Sequence, residues 1–295
     1  MIMLTVLTTT YNRSGFLYKC YKSLCEQTCY DFEWLIIDDG SSDNTFCVVE
    51  QIMKEHPYAF PIVYKKKKNG GKHTALNFSH EFINGKYVIM LDDDDELTRD
   101  AVEIVLSDWK KYKNDSNVGW ITYLKAEFNT RKPCIDFGTN EPIVANPIEF
   151  MVNEKRRGDC AEVIRTDVFK AFQAPIFINE YFLSEDYLWI NASFQYDSVY
   201  INKTIYLYEY LNDGLTRTIN TNRLKNPKGG MYTCNLYFDK RISKVVQYRK
   251  AILYDCYAYA TKTPMKYVRQ SKSISKCMIV LPVAWLVYKM LFRRD

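Results

Sequence analysis

The most constraining feature of this chain is an alternation, repeated four times over roughly its first third, between short β-rich runs and amphipathic helical stripes. The runs are Ile2–Thr8, Phe32–Ile37, Pro61–Tyr64 and Lys86–Leu91. Between the first two, Leu17, Cys20, Tyr21 and Leu24 recur at i, i+3, i+4 and i+7, with Ser14 placed to cap that helix. Further helices are expected over 44–56, from the end of the loop Lys67–Lys72 to about Ile83, and through Val102, Val105, Leu106 and Trp109 with Thr98 as N-cap. Strands alternating with helices make an α/β fold, a mostly parallel sheet with helices on both faces. Ligands of such sheets collect beyond the carboxyl ends of the strands. The polar loops Thr8–Arg13, Asp38–Asp43, Asn69–His73 and Asp92–Glu96 all fall there, and their convergence marks a candidate site.

Beyond Gly119 the pattern loosens. Residues 125–158, with Pro133, Pro142 and Pro147, read as irregular. Ala161–Arg165 is strand-like, a short helix follows, and Ser184-Glu185-Asp186 forms a second polar knot. Val199–Tyr210 reads as two short strands. From Asn226-Pro227-Lys228-Gly229-Gly230 onward the chain turns to basic and aromatic helix, with Ile242, Val245, Val246, Arg249 and Leu253 on one face. The expected organisation is a sheet domain over 1–215 and a helical region over 216–295.

At roughly 150 residues per domain, a chain of 295 residues allows one large domain or two modest ones. It needs neither disulfides nor a structural metal to bury a core. Nine cysteines with no C-x-x-C pair read as reduced thiols of a cytosolic protein. An apolar share of 47% and a charged share of 25% exclude disordered and collagen-like classes. The balance of 40 Lys+Arg against 35 Asp+Glu is too weakly basic to argue for nucleic acid. The first residues lack the basic stretch and cleavage site of a signal peptide. The charge-free segment Cys277–Tyr288, interrupted by Pro282, is shorter than the ~20 residues a bilayer span requires.

Asp92-Asp93-Asp94-Asp95-Glu96 is the loudest chemical signal. Adjacent acids repel, and the end of an apolar strand is a costly place for them without a cation. Hard divalent ions, Mg²⁺ or Mn²⁺, take such oxygens and keep positions open for substrate phosphates. A solvated acidic turn is the plainer reading, and an EF-hand lacks its glycine here. Gly70-Gly71-Lys72-His73-Thr74 only approaches a P-loop, and no G-x-G-x-x-G follows the first strand. Tyr11 has the shape to stack on a base, and Asp39 to accept a pyrimidine imide N–H; loop packing is the ordinary alternative for Tyr11.

Taken together, Thr8-Thr-Thr-Tyr-Asn-Arg13, Ile37-Asp-Asp-Gly-Ser-Ser-Asp43, Asn69-Gly-Gly-Lys-His-Thr-Ala-Leu-Asn77, Leu91-Asp-Asp-Asp-Asp95 and Ser184-Glu-Asp186 resemble the ordered motif set of family 2 glycosyltransferases. The resemblance covers about residues 3 to 210. The stretch from Gly214 to Gly230 and the helical tail resemble bacterial members that build capsule and other surface polysaccharides. The resemblance implies a GT-A fold, a uridine diphosphate sugar donor, a divalent ion, and inversion at the anomeric carbon. Position by position, it implies that Thr9, Tyr11 and Asp39 hold the uracil. It places Asp92 and Asp93 at the ribose and donor side of the D-x-D element, and gives Asp94 the metal. Lys72 and Asn77 fall in the donor-side loop, and Asp186 matches the catalytic base, with Glu185 as the fallback.

The chemistry agrees with those roles. A diphosphate leaving group gathers charge as the glycosidic bond breaks, which a metal on Asp94 would stabilise. Inversion in one displacement needs a base on the opposite face. Ser184 is placed to cap a helix that would hold Asp186 in its first turn, although acids at a helix start are also favoured by its dipole alone. His56, His73 and His80 are poor metal ligands by position, and Lys65-Lys66-Lys67-Lys68 reads as a solvated edge. Trp120, Tyr123 and Trp189 are core by default, sugar-stacking by alternative. The expected enzyme therefore moves a hexosyl or N-acetylhexosaminyl group onto a hydroxyl of a growing, lipid-linked surface glycan. A non-catalytic nucleotide-sugar-binding scaffold and a sugar nucleotidyltransferase are the alternatives. The latter would want a glycine-rich loop after the first strand, and Thr8–Arg13 has no glycine.

In the tail, Val283, Leu286, Val287, Met290 and Leu291 form an apolar stripe flanked by Lys272, Lys276, Lys289, Arg293 and Arg294. Two readings stand open: peripheral contact with an anionic leaflet at the cytoplasmic face of the cell membrane, or docking onto protein.

Overall fold

The computed structural model describes residues 2–56, 59–209 and 222–292. The chain forms two compact units. The first comprises Met1–Asn146, Arg156–Gln173 and Gln195–Tyr210; the second comprises Pro147–Lys155, Ala174–Phe194 and Leu211–Asp295. Asp186 thus belongs with the C-terminal helices, and the strands with the acidic corner belong to the first unit.

In the first unit, β1 (Leu4–Thr10), α1 (Leu17–Cys25), β2 (Phe32–Asp38), α2 (Thr45–Glu55), β3 (Ile62–Lys66), α3 (Lys72–Ser79), β4 (Tyr87–Met90), β5 (Glu96–Leu97) and α4 (Ala101–Tyr112) follow the expected alternation. Then come β6 (Val118–Glu127), β7 (Ile143–Ala145), β8 (Cys160–Arg165), α5 (Thr166–Ala171) and, after an excursion through the second unit, β9 (Asp197–Tyr208). All nine strands join one sheet in the order β3-β2-β1-β4-β8-β6-β9-β5, with β7 paired to β9. The first four are parallel, Thr9 of β1 facing Ile37 of β2 and Leu7 facing Met90 of β4. A strand with parallel neighbours on both sides is covered above and below, and every residue of β1 except Thr9 is buried. At the edge, β3 is only partly buried and ends in Lys65-Lys66, charges that discourage edge-to-edge pairing.

The later strands depart from the sequence expectation. What read as a loosening past Gly119 is a ten-residue strand, β6, antiparallel to β8 and parallel to β9. Buried along most of its length, β6 has no polar alternation to betray it. The two short strands expected over 199–210 are one, β9, which bulges where Thr122 and Leu124 pair with Tyr200 and Thr204. Ser14 and Thr98 do not cap their helices. The Ser14 N–H donates to Asp43 Oδ2 at 3.1 Å, and the Thr98 hydroxyl to Asp100 Oδ1 at 3.0 Å. The aromatic wealth goes into the core: Tyr21 stacks on Trp34 and Tyr87 on Trp109, the latter rings 4.2 Å apart. Trp120 and Tyr123 of β6 are also buried, which settles them as core.

The second unit contains α6 (Asp186–Ser193), α7 (Pro227–Leu236), α8 (Lys244–Tyr259), α9 (Pro264–Gln270) and α10 (Ile274–Phe292), after one wide helical turn over Ile148–Asn153. Its core gathers Met231, Cys234, Ala251, Tyr254, Val268 and Cys277. The face expected on α8 holds in part. Ile242 and Val246 are buried and Leu253 packs against the core. Val245, however, is half exposed and Arg249 exposed, whereas Gln247 and Asp255 are buried. Gln247 is tolerated inside because its amide donates to the carbonyls of Asp239 and Ile242. Polar residues at core positions hid the true stripe. Gly230 sits where a Cβ would lie 2.7 Å from the Tyr257 ring, which explains the Gly-Gly step in α7. Gly214, Arg293 and Arg294, singled out in the sequence, lie outside the described residues.

Candidate active site

The loop after β2 is built around two buried aspartates. Asp38 accepts from the Tyr64 hydroxyl at 2.5 Å and the Ser41 N–H at 2.7 Å. Asp39 reaches across to the loop before α3. Its Oδ2 accepts from the Gly71 N–H at 2.7 Å, its Oδ1 from Gly70 N–H at 3.1 Å and from Lys67 Nζ at 2.6 Å. Lys67 is therefore an inward tie and departs from the solvated edge expected of the four-lysine run, while Lys66 stays exposed and donates to the Ser41 carbonyl. Gly40, at φ +88°, allows the loops to meet, since a Cβ there would lie 2.6 Å from the Asn69 nitrogen. Asn12, in the left-handed region at φ 55°, ties in the loop after β1. Its N–H donates to Ser41 Oγ and its Oδ1 accepts from Ser42 N–H. Thr9 lies half-buried at the end of β1, and Tyr11 stands 47% exposed beside it, open to a ligand ring.

In the acidic corner after β4, Asp93 and Asp95 are buried while Asp92 and Asp94 are partly exposed, and the charges are partitioned. Asp92 accepts from Lys72 Nζ at 2.7 Å. Asp93 accepts from the Thr10 hydroxyl at 2.7 Å and lies 3.0 Å from Arg13 Nε, while Arg13 also grips Asp94. Asp95 accepts from the Tyr206 hydroxyl at 2.8 Å, and the oxygen of that hydroxyl accepts from the Asp92 N–H at 3.0 Å. Lys125 covers the Tyr206 ring. Burial alone would disfavour the Asp92 anion, but the Lys72 and Lys125 charges overcome it and bring the carboxyl down to about 2. Asp93 and Asp95 go the other way, each pushed up to about 7 by burial and by the neighbouring carboxylates, against hydrogen bonds from Thr10 and Tyr206. The four carboxyls of the corner thus outnumber the three cations that face them, Arg13, Lys72 and Lys125.

The chemistry of the donor set suits a hard divalent ion: oxygens only, crowded and under-neutralised. Among the described residues, however, no three His, Cys, Asp or Glu converge as a closed cage. The residues fit an ion held by one or two carboxylates and completed by substrate oxygens. Two histidines have other duties, His56 bonding the Tyr21 hydroxyl and the Phe60 carbonyl, and His80 packing edge-on against Phe169. His73 is buried in the first turn of α3, and Asn77 sits half-buried on the same helix.

In the second unit, Asp186 opens α6 as expected, with Glu185 as its N-cap residue. The Ser184 hydroxyl accepts only a long 3.5 Å bond from the Asp186 N–H. Asp186 Oδ2 accepts from the Tyr237 hydroxyl at 3.3 Å and lies 3.6 Å from Lys250 Nζ, which itself stacks on the Tyr237 ring. The carboxylate is about a third exposed and lines a small cavity with Arg223, Thr233 and Tyr257. The approach to α6 is fixed by Glu180, which accepts from the Lys228 and Gly229 N–H groups at the start of α7, and by Asn226, which accepts from Tyr181 and Phe182 N–H.

Sequence reasoning passed over Thr10, Asn12, Arg13, Lys67, Lys125, Tyr206, Tyr237 and Lys250. The first three stood inside a quoted motif. Tyr206, Tyr237 and Lys250 gave no local signal, because they come from elements remote in the chain.

The Glycosyl transferase family 2 model matches residues 5–179. A GalNAc(5)-diNAcBac-PP-undecaprenol beta-1,3-glucosyltransferase of Campylobacter jejuni is 27% identical over 285 residues, 94% of this chain and 87% of that protein. A chondroitin synthase of Pasteurella multocida is 34% identical over 111 residues, 38% of this chain and only 11% of the synthase. Among solved structures, S. aureus TarS with UDP-GlcNAc matches with a TM-score of 0.62 at 13% identity, over 96% of this chain and 80% of that one. A mannosyltransferase from Pyrobaculum calidifontis, in complex with GDP-Man and Mn2+, matches with a TM-score of 0.57 at 16% identity, over 98% and 81%. These likenesses carry the GT-A fold. Since the family model spans more than half of the chain, this protein belongs to glycosyl transferase family 2, and it is a glycosyltransferase.

Proposed function

We propose that this glycosyltransferase is inverting and metal-dependent, and moves a sugar from a uridine diphosphate donor to a hydroxyl of a lipid-linked surface glycan. The observation that carries the reading is the corner of Asp92, Asp93, Asp94 and Asp95 at the carboxyl end of β4, tied to Thr10, Arg13 and Tyr206. Its excess of carboxylates over facing cations is what a divalent ion would relieve. The named acceptor of the Campylobacter relative, an undecaprenol-linked glycan, supports the acceptor class, and UDP-GlcNAc on TarS supports the donor class.

In this reading Tyr11 stacks on the base, with Thr9 and Asp39 at its edge. Asp92 and Asp93 face the ribose and donor side, and Asp94, paired with Arg13 here, would hold the ion. Bound there, a divalent ion supplies Lewis-acid stabilisation to the diphosphate. Lys72 and Asn77 border the donor from α3. Asp186 takes the acceptor's proton as the new C–O bond forms and the bond to the diphosphate breaks, its electron pair leaving on phosphate. Tyr237 and Lys250 hold that carboxylate in one rotamer. Glu185 takes the role if Asp186 is dispensable.

Thermal shifts with a panel of nucleotide sugars, with and without Mn²⁺, test the donor. One uridine sugar should stabilise the chain only with metal, and not in Asp94→Ala. Asp186→Asn should keep that stabilisation and lose roughly 10²–10⁴ in turnover. Full turnover in Asp186→Asn removes its role as base, and a metal-independent response removes the metal.

A further inference from the structure

Among the described residues, nothing covers the outer face of α10. Ile279, Val283, Leu286 and Met290 follow one another at i, i+4, i+7 and i+11 and are 66%, 49%, 53% and 68% exposed, with Trp285 beside them at 43%. The opposite face is spent on the core: Cys277, Val280 and Ala284 are buried, and Cys256 donates to the Ala284 carbonyl. Four or more large apolar side chains in a row on water are a marked interaction surface.

Charge identifies the occupant. Of the 40 Lys+Arg and 35 Asp+Glu in the chain, eight of the bases and none of the acids fall between Cys256 and Arg294, so the remainder is net acidic. Lys272 and Lys289 are exposed on the helix flanks, and Lys289 folds its ammonium 4.1 Å over the Trp285 ring, presenting apolar stem and cation together. A second copy of the chain would bring the same unrelieved positive charge to the interface. An anionic lipid surface supplies both an apolar layer for the stripe and negative headgroups for the lysines. No described helix is long and apolar enough to cross a membrane, so the contact is parallel to the surface.

We propose that the exposed face of α10 docks this protein on an anionic bilayer, with Ile279, Val283, Trp285, Leu286 and Met290 in the headgroup–acyl boundary and Lys272 and Lys289 on the headgroups. The inference deepens the lipid-linked-acceptor reading and rests on it for its purpose. Vesicle binding is read without donor, acceptor or turnover, so either can fail alone.

The test is flotation of the full chain with phosphatidylcholine vesicles, with and without phosphatidylglycerol. Binding should require phosphatidylglycerol, weaken with salt, and fall about fivefold for each of Lys272→Gln and Lys289→Gln. Ile279→Glu with Leu286→Glu should abolish it while the thermal unfolding midpoint of the variant without any ligand stays at the parent value, which shows the variant folded. Brominated lipid should quench fluorescence in the parent and not in Trp285→Phe. No binding to anionic vesicles overturns the proposal. So does equal binding to neutral ones, or a dimer in sedimentation that the glutamate pair converts to monomer, which would give the face to a second copy.

Discussion

At the scale of single residues, the acidic corner is a balance between crowded carboxylates and the cations that face them. Asp92 is satisfied by Lys72, and Asp93 and Asp94 share Arg13, yet burial and mutual repulsion still push Asp93 and Asp95 up to about 7. Without a closed set of ligands, the corner should bind Mn²⁺ weakly by itself. With a nucleotide diphosphate completing the coordination, each ligand should tighten the other by the same factor, about 5- to 150-fold. Calorimetry of Mn²⁺ with and without UDP measures this directly. Equal Mn²⁺ affinity in both titrations would show that the site is complete without the nucleotide. The sequence made the four aspartates plain because they are contiguous. It gave no sign of Tyr206, whose hydroxyl joins Asp92 to Asp95 from more than a hundred residues away.

At the scale of elements, what was legible follows from periodicity. The early strands β1 and β2 are all but wholly buried runs of β-branched and apolar residues, bounded by turn formers, so the sequence places β2 to within one residue and β1 to within two at each end. The strand β6 escapes that pattern because Gly119, Thr122 and Lys125 break its apolar run. Of the face expected on α8 only Val246 and Leu253 turn inward, because Gln247 and Asp255 occupy core positions. Close contacts between elements leave no periodic trace either. Gly230 of α7 lies under the Tyr257 ring of α8 because nothing larger fits. Gly230→Ala, normally a helix-favouring change, should instead destabilise by about 1–3 kcal/mol. Urea unfolding with an unchanged m-value would check it; a gain in stability would show that the ring moves aside at no cost.

At the scale of the molecule, Asp255 couples stability to pH. Its carboxyl is fully buried in the helical unit beside Cys277, and burial pushes it up to about 7. Between its ordinary value near 3.8 and about 7, the unfolded chain has released this proton while the folded chain keeps it. The folded state then binds more protons, so stability falls as pH rises through that window and levels above it. Asp255→Asn should flatten the decline, by roughly 3 kcal/mol between pH 4 and pH 8 relative to the parent. Denaturation midpoints at the two pH values in both proteins measure it, and parallel slopes would show that the carboxyl is solvated. The sequence by itself determined the α/β class, the family and the loops that meet at the strand ends, because those depend on local periodicity and on motifs contiguous in the chain. Only the tertiary structure decided that Arg13, Lys125 and Tyr206 partition the aspartates' charge, that segment 174–194 folds with the C-terminal helices, and that α10 leaves an apolar face uncovered. Burial and Coulomb interaction act through space, and separation along the chain does not encode them.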